Sequence, residues 1–244
     1  MFNQARSLQF VWFLPGDPPS STELFNALLG SEPDGFQKIN PPHAPIPVTV
    51  VHVVRDELVH KLQSHYGRVD YFVEPIGNAQ ELPLVSNPAL HIDETLERIP
   101  GVSNLVGDIV RAALVITLAK PMDTVEQAGE AFTNVFSGKF DFTQARDLSF
   151  QMSRRLAGTS VGDVNRLLRW WSDTISFMPM VANSFSPMIL QNATERHYMN
   201  FMVDVNTVPS PKTQFSPSEH LSVFKELATI ARELMSVETV EGVK

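Results

Sequence analysis

The chain has 244 residues and a mass of 27.2 kDa, with 43% hydrophobic and 19% charged residues, a balance that excludes a disordered, highly charged polymer. Cysteine is absent, which excludes disulfides, thiolate zinc sites, iron–sulfur clusters and a cysteine nucleophile. The net charge of −8 disfavours non-specific binding of nucleic acid by the surface as a whole.

In chain order, an apolar run from Phe10 to Leu14 ends at Pro15-Gly16 and predicts a strand. Ser20 and Glu23 have the spacing of a capping box, Leu24, Phe25, Leu28 and Leu29 follow at helical spacing, and Gly30 can close the helix. Residues 31–47 carry five prolines and predict a stiff, extended loop. Strands are expected over Val48 to Val54 and around Val69, Tyr71 and Val73. A diffuse helix follows across His91 to Arg111, with a break expected at Pro100-Gly101.

The order then recurs. Leu114 to Leu118 predicts a strand, Pro121 a turn, and Asp123 with Glu126 a second capping box. Val125, Ala128, Phe132, Val135 and Phe136 form a helical stripe before Gly138. Leu148, Phe150 and Met152 alternate with polar residues, as do Ile175 and Phe177, predicting antiparallel strands with one wet face. A long loop, 181–197, holds Met188, Ile189 and Leu190. Ser216-Pro217-Ser218-Glu219 then opens a helix whose face runs from Leu221 to Met235. The recurrence predicts an α+β protein of two pseudo-repeated β-α-β-β-(β)-α halves, 1–112 and 113–244, with an antiparallel sheet covered by helices on one face. Edge-to-edge joining of such halves would resemble the TATA-binding-protein-like saddle; tandem ferredoxin-like units are the alternative. The longest apolar runs, 8–14 and 112–119, are strand-sized, so the chain is expected to be cytoplasmic and to have no membrane association.

The segments Leu148-Ser149-Phe150-Gln151-Met152-Ser153-Arg154-Arg155, Val164-Asn165-Arg166-Leu167-Leu168-Arg169-Trp170-Trp171 and Met202-Val203-Asp204-Val205-Asn206-Thr207 occur in an order that resembles a sporadically distributed prokaryotic family of uncharacterised proteins of similar length. The resemblance covers about the last hundred residues. Met152-Ser153 stands where that family commonly carries an asparagine beside its arginine pair. The resemblance implies a fold and no activity; a sporadic distribution would suit an accessory or defence-related role.

Three groups of residues could carry chemistry. Gly158-Thr159-Ser160-Val161-Gly162 spells a nucleophile elbow, which would make Ser160 the nucleophile of a hydrolase with a downstream acid and histidine. The preceding alternating strand argues instead for a hairpin loop. The seven histidines show no compact metal-ligand spacing, and no phosphate-binding glycine loop occurs, so neither metal nor cofactor is expected. Arg146, Arg154, Arg155, Arg166 and Arg169 place five of the twelve arginines within 24 residues, beside Trp170 and Trp171. Arg154, Arg155, Arg166 and Arg169 with the two indoles form a candidate binding patch for a protein partner or, alternatively, for nucleic acid or a nucleotide. The bland reading pairs these arginines with Asp141, Asp147, Asp163, Asp173 or Asp204, and buries one tryptophan of the pair. A non-enzymatic protein that docks a protein partner on its sheet or long loops is the leading expectation.

Overall fold

A computed structural model describes residues 2–40, 47–77, 82–177, 194–210, 213–237 and 239–243. Ten strands join in one antiparallel sheet, and the central ones alternate apolar and other residues with a period of two. The first six are β1 (Gln4–Phe13), β2 (Gly35–Ile39), β3 (Val48–Arg55), β4 (Leu58–His65), β5 (Arg68–Pro75) and the two-residue β6 (Val85–Ser86). The remainder are β7 (Arg111–Met122), β8 (Ser149–Thr159), β9 (Gly162–Phe177) and β10 (Thr194–Thr207). Four helices complete the described residues: α1 (Ser21–Leu29), α2 (Pro88–Val106), α3 (Val125–Val135) and α4 (His220–Met235). None of them is long and apolar enough to cross a membrane.

The sheet order is β2-β3-β4-β5-β1-β7-β10-β9-β8, with β6 set beside the start of β1. The strands that open the two predicted halves therefore lie together at the centre, joined along Gln4 to Phe13 and Arg111 to Ala119. Outward from β1 come β5, β4 and β3; outward from β7 come β10, β9 and β8. The sequence boundary 112/113 falls just inside β7.

The apolar phase of each strand faces the helices. Leu8, Phe10 and Trp12 of β1, Leu114, Ile116 and Leu118 of β7, and Phe201, Val203 and Val205 of β10 are buried in a single core. Phe224 of α4 meets the rings of Phe10 and Trp12, with centroids 5.7 and 4.9 Å away. Helix α1 packs on α2 and α2 on α4, while α3 lies over β9 and β10. The opposite face of the sheet carries no helix among the described residues.

Local expectations and structure differ in several places: β10 begins at Thr194, inside the loop expected over 181–197, and three further differences have a local cause. Helix α2 does not break at Pro100 but runs through it, because Gly101 lets it press against α1: a Cβ there would lie 3.2 Å from the carbonyl oxygen of Ala27. The cap of α3 is shifted by one residue. Thr124 accepts from the Gln127 amide and Gln127 Oε1 accepts from the Asp123 amide, so the box is closed by Gln127 in place of Glu126. The proline-rich segment contains β2, whose Gly35 leaves room for the His52 ring; a Cβ there would overlap that ring at 2.2 Å. Residues 41–46 of that segment, and Met188, Ile189 and Leu190 of the second long loop, lie outside the described residues.

Candidate functional site

The predicted arginine–tryptophan cluster occupies the hairpin β8–β9 at one end of the sheet, and the pleat divides it between two faces. Trp170 shares the helix-covered phase with Val164 and Leu168. It is fully buried and stacked on Phe201 with centroids 4.6 Å apart. Trp171, one residue on, faces the open side and is half-buried. Arg154 and Arg166 are directly opposite each other on the helix-covered phase. Arg154 donates to the Val243 carbonyl at 2.6 Å. Burial and then the Arg154 charge push the Arg166 guanidinium below its usual pKa, with Glu233 acting in the other sense. The Nε of Arg166 is buried and has no hydrogen-bond partner.

Arg155 and Arg169 lie on the open face. Arg155 Nε reaches Asn165 Oδ1 at 3.4 Å. Arg169 sits over the Trp171 ring, 5.2 Å from its centroid, and its Nε donates to Ser149 Oγ at 3.3 Å. Four of the five aspartates expected as partners are engaged elsewhere. Asp173 binds Arg6 at 2.6 Å, Asp204 accepts from Asn206, Asp141 from Thr143, and Asp163 from the Gly158 amide. None of the four arginines of the patch forms an ion pair among the described residues. Arg146 stands apart, lining a cleft of about 320 Å³ with Asp123, Asp147 and Glu195 at the start of α3.

A polar network that sequence reading did not single out crosses the middle of the open face. Arg68 holds Asp70 with both nitrogens, at 2.7 to 3.0 Å, and Gln9 donates to the same carboxylate at 2.7 Å. Phe13 lies between the guanidinium groups of Arg68 and Arg111, 5.1 and 4.7 Å from its centroid. Arg111 donates to Asn206 Oδ1 at 2.7 Å, which also accepts from Asn165. Asn206 in turn donates to Asp204, whose pKa is raised by burial against the opposing pull of that bond and of Arg111 and Arg68. The chain thus links β5, β1, β7, β10 and β9. Its sequence signal is the i, i+2 pairing of Arg68 with Asp70 and Asp204 with Asn206, which places each pair on one face. Its ion pair, Arg68–Asp70, and its side-chain hydrogen bonds hold the strands together, while the buried Nε of Arg111 has no hydrogen-bond partner among the described residues.

Ser160 is exposed at the tip of the β8–β9 turn, between Gly158 and Gly162, whose φ values of +70° and +92° supply the turn. The turn joins two antiparallel strands, whereas a nucleophile elbow joins a parallel strand to a helix. Histidines are dispersed. His60 is buried with Nδ1 at 2.7 Å from the Tyr71 hydroxyl, His197 meets Thr174, and His220 is buried at the start of α4. Among the described residues no three potential ligands converge as a metal site. Comparison with family models, curated proteins and solved structures finds no match to the chain.

Proposed function

We propose that the protein is a non-enzymatic binding protein built from two pseudo-repeated β-α-β-β-(β)-α halves, the first with additional strands, which docks a protein partner on the helix-free face of its sheet. The mirrored strand order about β1 and β7 supports the duplication and the saddle-like, edge-to-edge joining. The observation that carries the docking reading is the character of the helix-free face. Half-buried Leu167, Trp171 and Met202 adjoin Arg169, which forms no ion pair among the described residues and lies over the Trp171 ring. Charges further along the same face are neutralised by neighbours, Arg6 by Asp173, Arg68 by Asp70 and Lys61 by Glu74. An apolar and aromatic cluster with an adjoining arginine, on a face whose other charges are mostly paired, suits a protein surface better than a polyanion. Nucleic-acid recognition is the lesser alternative, since a duplex or strand lying on one face would meet only half of the arginine patch. An accessory or defence-related role would be consistent with binding alone.

The test is site-specific photo-crosslinking in the cell of origin. A benzoylphenylalanine replacing Leu167 or Met202 should give a discrete protein adduct, and one replacing exposed Thr229 of α4 should not. Adducts removed by nuclease, or adducts equally frequent from α4, would overturn the reading.

A further inference from the structure

The free edge of the sheet at β8 has a definite hydrogen-bonding phase. The amide of Ser172 donates to the Leu148 carbonyl at 3.0 Å, which makes the facing residues Ser149 and Trp171 a pair without mutual hydrogen bonds. Phe150, Met152 and Arg154 therefore spend their N–H and C=O groups on β9, and Gln151, Ser153 and Arg155 aim theirs outward. The bond from Val208 N to Asp163 O fixes the complementary phase on the β10 side of β9, in agreement. No strand among the described residues pairs with the outer side of β8. This edge is eleven residues long and regular from Ser149 to Leu156, whereas the opposite edge, β2, has five residues with Pro41-Pro42 soon after it. Long regular edges recruit additional strands.

The charge on that edge selects what can be added. Arg154 and Arg155 are exposed and point to opposite faces; Arg154 stands directly opposite Arg166 of β9, while Arg155 faces Asn165, with Arg169 further along the same face opposite Gln151. A ligand lying on a single face reaches one of the two. A strand laid along the edge reaches both, because its own side chains alternate. Pairing with a second copy is opposed by the same residues: full antiparallel overlap of Ser149–Thr159 with itself sets Arg154 against Arg154, and like charges directly opposite are destabilising.

We infer that β8 is a strand-addition site for an extended acidic segment of a partner protein, with the outward N–H and C=O groups of Gln151, Ser153 and Arg155 making the ladder and adjacent carboxylates meeting Arg154 and Arg155. The inference rests on the reading of the protein as a protein-binding module and names the chemistry of the partner. The like-charge pair Arg154–Arg166 is relieved when a carboxylate meets its exposed member, Arg154.

The experiment uses the full chain and a fluorescein-labelled peptide, Thr-Val-Thr-Glu-Glu-Val-Thr-Val-Thr, read by anisotropy. The peptide should bind at least about tenfold more tightly than the version with Lys-Lys at its centre, and the double variant Arg154→Glu, Arg155→Glu should invert that order. Ser153→Pro removes one outward donor without touching the β8–β9 ladder, and should abolish binding while circular dichroism stays unchanged. Hydrogen exchange on the unaltered protein gives a second readout, with the Gln151, Ser153 and Arg155 amides slowed by the peptide. Binding that survives Ser153→Pro and slows no β8 amide would overturn strand addition while leaving protein docking on the open face intact. Indifference to Glu-Glu against Lys-Lys, or a concentration-dependent dimer protecting the same amides without peptide, would also overturn it.

Discussion

Trp170 and Trp171 are neighbours in the chain and point to opposite faces of the sheet. Alternation requires that one of them enter the core, yet β9 is apolar on both phases, Val164, Leu168 and Trp170 on one and Leu167, Trp171 and Ile175 on the other. Which phase is inward depends on where α3 and α4 settle, a long-range fact that the local pattern does not contain. Trp170→Ala should cost about 3–5 kcal/mol in urea denaturation, the range for emptying a buried aromatic site. Trp171→Ala should change stability by no more than about 1 kcal/mol and lower partner affinity instead. His60 gives a pH signature. Burial, and then the charges of Arg98, His91 and Arg55, hold its pKa at about 4, against an ordinary 6.5. The unfolded chain therefore takes up a proton that the fold refuses. This contribution is intact above pH 6.5 and is lost as pH falls towards 4, by up to about 3 kcal/mol. His220, lowered by burial, works in the same direction. The urea midpoint should fall across that window and fall less in His60→Gln, which can keep the bond to Tyr71; equal slopes would count against this account.

At the level of elements, caps and apolar stripes were legible because they are local. Ser20 caps α1 by accepting from the Glu23 amide and Gly30 closes it at φ +68°, as its letters imply. Helix α4 likewise follows its stripe. What sequence reading missed are elements whose pattern is set by partners. Strand β4 is mostly polar, and becomes a strand because β3 and β5 flank it. The prediction of a break at Pro100 failed because packing against α1 outweighed one missing donor. Helix α3 offers a test of such tertiary overrides. Gly129→Ala would normally stabilise a helix interior by about 1 kcal/mol. Here the new Cβ would sit 2.4 Å from the Phe142 carbonyl oxygen and 2.9 Å from the Thr143 Cα, so the variant should instead be about 1–3 kcal/mol less stable. A calorimetric melt decides the sign.

For the molecule as a whole, the strand and capped helix that open each half and the helix near its end could be read from the chain, while β2, β4, β6 and the meeting of β1 with β7 could not, the last because those strands pair across about a hundred residues of sequence. The arginine patch was legible as a cluster in the letters, but its division between faces emerges only with the pleat. Because β1 and β7 cover each other's edges, severing the chain after Asp108 should give two fragments that aggregate separately and recover a single species when refolded together. Size-exclusion chromatography reads the result, and a well-behaved isolated fragment would show that the halves are independent. The same seam has a consequence during synthesis. The β7-facing edge of β1 leaves the ribosome with no strand to receive it until residues 111–122 are made, a delay of roughly 5–20 s at ordinary translation rates. Nascent chains stalled within that interval should be clients of holdase chaperones.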